Sequence, residues 1–160
     1  MIAGHSDAQQ VPNSDHSTNG YRFFSHPGAV HSLEQAAHER SQRPEQVVRS
    51  ILFRLAEDEF VLVLVAGPRQ LSWSRLRAYL GTNRMTMATE QEVLQVTGYP
   101  IGAVSPIGLP NALRLLVDQS VLEQDEISIG SGVRNTTVIL SQEHLRQALG
   151  SYDIYREGEG

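Results

Sequence analysis

The 160-residue sequence contains no cysteine, and this absence removes a large set of functions at once. Disulfide frameworks, zinc–thiolate sites, iron–sulfur clusters and thiol nucleophiles all require cysteine sulfur. Any catalysis by this chain must therefore use oxygen, nitrogen or backbone groups.

Lysine is also absent, so all 13 cationic side chains are arginine. We attribute this bias to genome composition rather than to the needs of individual sites. The formal net charge is −5, which argues against a protein that coats nucleic acid along a basic stripe, because such binding depends on neutralising phosphates. A small contact with one end of a nucleic acid is compatible with this charge.

Long apolar runs are missing as well. No stretch approaches the ~18 residues that cross a bilayer, and the N-terminus lacks the basic start and apolar segment of a signal peptide. The sequence therefore predicts a cytoplasmic protein. Its length is that of one globular domain able to bury a core.

Three segments of the chain are expected to differ in order. Residues 1–20 mix small and polar types without apolar periodicity, which predicts a disordered leader. Residues 21–149 carry the patterns of a folded domain. Residues 150–160 are expected to form a tail that is frayed from Ser151 onwards.

Capping residues mark the predicted helices. Four hydroxyl residues precede apolar stripes and predict helix N-termini: Ser32, Ser72, Thr89 and Ser141. Pro44 predicts a further short helix, because proline suits the first helical turn. Gly81 and Gly98 predict left-handed helix ends.

Strands are predicted over residues 50–56, 60–66, 84–88, 113–117, 126–129 and 136–140. The second is almost entirely apolar, which predicts a central strand covered on both faces and paired with the first as a hairpin. Because helices and strands do not alternate regularly, we predict an α+β fold with a mixed, largely antiparallel, curved sheet and flanking helices. Residues 99–110 are rich in proline and glycine and predict a rigid irregular loop of the kind that often carries function.

The segment that begins Gly130-Ser131-Gly132 has the opening of a dinucleotide fingerprint. Such a site needs a helix N-terminus after the glycines, and here residues 136–140 favour a strand. The composition therefore leaves two interpretations, a hairpin loop or a loop that lines a pocket.

Other chemistry-bearing residues receive ordinary interpretations when each is taken alone. His26, His31 and His38 are interpreted as scattered surface histidines, because a metal site needs three or four converging ligands. No G-x-S-x-G elbow supports a serine hydrolase. Arg49 is predicted to be a solvated charge at a helix end, at the junction with a sheet.

Several segments are more informative in combination. They are residues 44–53 (PEQVVRSILF), 60–67 (FVLVLVAG), 71–80, 88–93, 97–99, 102–110 (GAVSPIGLP), 117–118 and 130–141. In this order they resemble the YbaK and prolyl-tRNA-synthetase-associated family of aminoacyl-tRNA deacylases, with residues 102–110 similar to its G-x-x-x-P loop. The resemblance covers roughly residues 21–149, and the ordered series is far more specific than any one motif.

The resemblance implies a pocket that accepts the aminoacylated 3′ end of a tRNA and hydrolyses the ester, so that mischarged tRNA is cleared in trans. Typical family substrates are alanine or cysteine on the tRNA for proline. No cofactor or metal is implied, because an activated ester needs only a positioned water and a stabilised oxyanion. The implied partners are a tRNA acceptor end carrying an amino acid and an aminoacyl-tRNA synthetase, with neither DNA nor a membrane involved.

The same resemblance assigns site residues by position. The expected catalytic residues are Arg49, Gly102, Ser105 and Pro106. The expected substrate-binding residues are Gly108, Gly130, Ser131, Gly132, Asn135 and Thr136. At Arg49 the family usually has a lysine that engages the tRNA end, and arginine keeps the charge in a larger, planar group.

The alternative function is a non-catalytic module of the same fold that binds an aminoacyl-tRNA end or a synthetase. A small-ester or nucleotide hydrolase ranks third.

Overall fold

The computed structural model describes residues 21–109 and 113–156, so the predicted leader over residues 1–20 lies outside the described residues. The strands are β1 (Tyr21–Ser25), β2 (Val48–Ala56), β3 (Glu59–Ala66), β4 (Thr86–Met87), β5 (Arg114–Asp118), β6 (Glu126–Gly130), β7 (Thr136–Ser141) and β8 (Asp153–Tyr155). The α-helices are α1 (Leu33–Glu39), α2 (Trp73–Leu80), α3 (Glu90–Thr97) and α4 (Gln142–Leu149), with 3-10 turns at Pro44–Gln46 and Gln119–Glu123. None of the helices in these ranges is long and apolar enough to span a bilayer.

The strands form two sheets. One is antiparallel with the order β1-β7-β6, and the other has the order β4-β2-β3-β5-β8. In the second sheet β2 pairs antiparallel with β3 and β4, whereas β3–β5 and β5–β8 are parallel. A parallel bridge between Val47 and Ser128 joins the sheets where β2 begins. The predicted α+β class with mixed, largely antiparallel pairing is confirmed.

The predicted helix starts are confirmed by their hydrogen bonds. Ser32, Ser72, Thr89 and Ser141 each accept a bond from the backbone amide three residues later. At Thr89 the capping box is complete, because the Glu92 side chain also accepts from the Thr89 amide at 2.9 Å. Gly81 and Gly98 end their helices with φ of 72° and 85°, the left-handed conformation that glycine adopts without a Cβ clash.

Two apolar clusters cover the two faces of β3, as its composition predicts. On one face Leu62 and Leu64 pack with residues of the three-stranded sheet and α4, including Ile127 and Leu145. On the other face Val61 and Val63 pack with a cluster that contains Leu76 and Leu116. Burial on both faces explains why this strand is apolar at nearly every position.

Two strands at the ends of the domain were not predicted. β1 pairs with β7 in the first sheet, and β8 adds to the edge of the second sheet beside β5. The expectation of a frayed tail is therefore wrong over Asp153–Tyr155, where the Tyr155 side chain is buried. Both strands are short and gain their stability from a partner that is distant in sequence, which local patterns do not show. Residues 157–160 of the expected tail lie outside the described ranges.

Candidate functional site

A cavity of about 570 Å³ lies where the start of β2, the loop after α3 and the β6–β7 turn meet. Five of the residues assigned from the sequence line it: Arg49, Gly102, Gly130, Asn135 and Thr136. The volume is within the ~300–1,000 Å³ usual for small-molecule sites. The segments at Arg49, Gly102 and Gly130 are 28 or more residues apart in sequence. All three nevertheless line one cavity.

The two glycine-containing loops are packed backbone against backbone. The Gly132 amide donates to the Ala103 carbonyl at 2.8 Å. A Cβ on Gly130 would lie 2.2 Å from the Val104 carbonyl oxygen, well inside contact distance. Only glycine permits this approach at Gly130, so the residue sets the distance between the loops.

Two backbone amides in the first loop have no hydrogen-bond acceptor among the described residues. Gly102 and Val104 both line the cavity, and neither amide donates a hydrogen bond to a described residue. The intervening Ala103 amide is already used, because it donates to the Pro100 carbonyl at 3.0 Å. Free amides beside a cavity are the type of group that stabilises an oxyanion in acyl-transfer chemistry.

Five of the assigned residues do not line the cavity: Ser105, Pro106, Gly108, Ser131 and Gly132. The Ser105 hydroxyl is buried and bonds to the backbone of Ile107, at 3.2 Å to the amide and 3.3 Å to the carbonyl. Pro106 and Gly108 line a separate groove beside the end of α4. The Ser131 hydroxyl donates to the Thr136 carbonyl at 2.7 Å, within the turn.

Arg49 is the second residue of β2, not a solvated helix-end charge as the sequence predicts. The helical turn before it ends at Gln46, and β2 begins at Val48 by pairing with Ala66. The Arg49 guanidinium donates to the carbonyls of Gly67, at 3.1 Å, and Arg69. Partial burial lowers the pKa of Arg49 below its ordinary value. The planar guanidinium suits two carbonyls at once, which a lysine ammonium does not match in the same geometry.

A buried polar network at the cavity wall was not predicted. His26 is 8% exposed, so its interpretation as a surface residue is wrong, whereas His31 and His38 are exposed. Its Nε2 accepts from Arg40 Nε at 3.0 Å, which leaves Nδ1 to donate to Glu39 Oε1 at 2.6 Å. His26 follows β1 and Arg40 follows α1, so the periodicity of a single element does not pair them and no sequence signal shows the contact.

Arg40 brings a fixed charge to this wall. It lines the cavity and donates through Nη1 to the Ser128 hydroxyl at 2.8 Å. Burial lowers the pKa of Arg40 to about 10, so the group is cationic at neutral pH. The Gln35 amide and then His26 hold the pKa of Glu39 below its ordinary value by hydrogen bonding to the carboxylate.

The described residues contain no group of three or more histidines and carboxylates placed to hold a metal ion. The cavity is lined by the cationic Arg40, Arg49 and Arg134, by Gly102 and Val104, and by the hydroxyl residues Thr136 and Thr137. These groups suit the positioning of an ester and the stabilisation of negative charge.

Residues 27–148 match the family described as "Aminoacyl-tRNA editing domain". A proline–tRNA ligase of Kosmotoga olearia is 37% identical over 95 residues, which are 59% of this chain and 16% of that ligase. A proline–tRNA ligase of Thermosipho melanesiensis is 30% identical over 114 residues, which are 71% of this chain and 20% of that ligase. The chain therefore spans a fifth or less of the length of these curated relatives.

Among solved structures, one described as "a putative trans-editing enzyme for prolyl tRNA synthetase" superimposes with a TM-score of 0.75 at 24% identity. The match covers 85% of this chain and 85% of that one. At this identity the likeness shows the fold, and it agrees with the mixed α+β architecture described above.

Proposed function

Because the chain belongs to the aminoacyl-tRNA editing domain family, we propose that its cavity binds the 3′ end of a mischarged tRNA and hydrolyses the aminoacyl ester. The observation that carries this proposal is the convergence of Arg49, the Gly102 loop and the Gly130 turn around one cavity. A protein nucleophile is not needed, since the ester is already activated.

The proposed reaction uses water and groups on the cavity wall. Water adds to the ester carbonyl carbon, and the resulting oxyanion accepts hydrogen bonds from the Gly102 and Val104 amides. The bond from this carbon to the ribose oxygen then breaks, and the ribose oxygen takes the proton that the added water has given up. The neighbouring ribose hydroxyl assists by orienting the water. The products are a free amino acid and an uncharged tRNA.

The proposed substrate is the tRNA for proline carrying a small amino acid such as alanine or cysteine. The proline–tRNA ligases that resemble this chain support the choice of tRNA. The proposed setting is the cytoplasm, where translation takes place, with a synthetase as the partner that supplies tRNA identity. The identity of the amino acid is the variable in the experiment.

The test is loss of amino acid from a panel of mischarged tRNAs: Ala-, Cys-, Ser- and Pro-tRNA for proline, with Ala-tRNA for alanine alongside. We expect the smaller residues to be released from the tRNA for proline and correctly charged Pro-tRNA to be spared. Arg49→Ala should slow the reaction, while Arg84→Ala is the matched control because Arg84 is exposed and lines a different pocket. Binding without release from any tRNA would instead support a non-catalytic binding module.

A further inference from the structure

The part of the cavity wall that the described residues form carries cationic side chains and no carboxylate. Arg40, Arg49 and Arg134 line it, and among the described residues its lining includes neither aspartate nor glutamate. The whole chain has a net charge of −5, so this local excess of cations runs against the overall balance. A cavity of this kind attracts an anionic group on its ligand.

The three arginines differ in what they already bind. Arg40 is held by His26 and Ser128, and Arg49 is held by two backbone carbonyls. Arg134 is exposed, and its guanidinium forms no hydrogen bond or ion pair with any described residue. Of the three, Arg134 is therefore the arginine whose guanidinium has no partner among the described residues.

The backbone beside Arg134 is nevertheless anchored. The next residue, Asn135, adopts φ of 62°, and its carbonyl accepts from the His26 amide at 2.8 Å. On the other side the Val133 amide donates to the Ser131 hydroxyl at 3.1 Å. A fixed backbone with a free side chain is suited to reaching a ligand group at the cavity mouth.

An aminoacylated tRNA end offers one kind of anion close to its ester. The amino acid contributes an ammonium group, and the terminal adenosine is neutral, so the negative charge is the phosphate on the 5′ side of that adenosine. We propose, on the basis of the proposed function, that Arg134 contacts this phosphate and thereby orients the acceptor end with its ester beside the Gly102 loop. Arg134 is thus a positioning residue for the ester.

The test uses two non-hydrolysable analogues, 3′-alanylamino-3′-deoxyadenosine and its 5′-monophosphate. With the wild-type protein we expect the 5′-monophosphate to bind about 10-fold more tightly, the scale of a charge-assisted contact. Arg134→Gln should reduce this ratio to about 1, and Arg134→Lys should keep most of it because the charge is retained. Arg84→Gln, which makes the same charge change on an exposed arginine outside the cavity, should leave the ratio unchanged.

Three results would overturn the assignment. The first is equal binding of the two analogues by the wild type, or no binding of either at millimolar concentration. The second is a phosphate preference that survives Arg134→Gln. The third is binding of free AMP as tightly as the aminoacyl 5′-monophosphate, which would indicate a free-nucleotide site. Release of amino acids from mischarged tRNA is measured separately, so loss of the phosphate contact and loss of the proposed function give different results.

Discussion

Replacing Gly130 with alanine tests the close packing of the two loops that form the cavity. The added Cβ would lie 2.2 Å from the Val104 oxygen and 2.9 Å from its carbonyl carbon. Relief of this overlap requires a separation of about 1 Å, and overpacking of this kind typically destabilises a protein by about 1–3 kcal/mol. Because the obstacle is backbone, no side-chain rotation can relieve it.

Two measurements follow from this change. The free energy of unfolding in urea should fall by about 1–3 kcal/mol, and deacylation should slow by about 100-fold, since a 1 Å misplacement has effects of that size. Gly28→Ala is the matched control, because no atom of a described residue lies within 4 Å of a Cβ at Gly28. If Gly130→Ala unfolds at the same urea concentration as the wild type and keeps full activity, the loops are not held by this contact and the reasoning fails.

Three further changes test other parts of the structure. Arg49→Lys should lower the unfolding free energy in urea by about 1 kcal/mol, because one ammonium cannot serve both carbonyls as the guanidinium does; equal stability would contradict this. The pKa of Glu39 is lowered in the folded state, so its contribution to stability is present above the ordinary value of 4.5 and lost as pH falls through the lower folded value. The free energies of unfolding of wild type and Glu39→Gln, measured in urea between about pH 3 and pH 6, should therefore converge at the acid end. A difference that stays constant with pH would show that folding does not lower the pKa of Glu39. Tyr155→Ala should lower the free energy of unfolding by about 2–5 kcal/mol in the same assay, because the Tyr155 side chain is buried. Ile154→Ala should lower it much less, because Ile154 is half-exposed. Equal effects would show that β8 contributes little packing.

The sequence predicts those features of the fold that depend on neighbouring residues. A helix N-cap is a contact between a hydroxyl and the backbone amide three residues later, so it depends on a short segment of sequence, and this explains why the starts at Ser32 and Thr89 could be predicted. The apolar composition of residues 60–66 predicts burial on both faces, because no other environment removes every side chain from water.

The candidate site is predictable in part for a related reason. A glycine permits the close approach of two backbones, and the approach of Gly130, at the end of β6, to Val104 is of this type. The sequence does not show which loop hydroxyls reach the cavity. Ser105 and Ser131 have the right chemistry, but each bonds within its own turn, as short polar side chains in loops commonly do.

The sequence by itself determined four helix starts, the buried central strand, the mixed α+β class and the exclusion of thiol chemistry, since each depends on local geometry or composition. Only the tertiary structure decided that β1 and β8 are strands, that Arg49 lies within β2, and that His26 and Arg40 meet beside the cavity. These features arise from pairing between distant parts of the chain, where the favourable contact appears only after the backbone has brought both partners together.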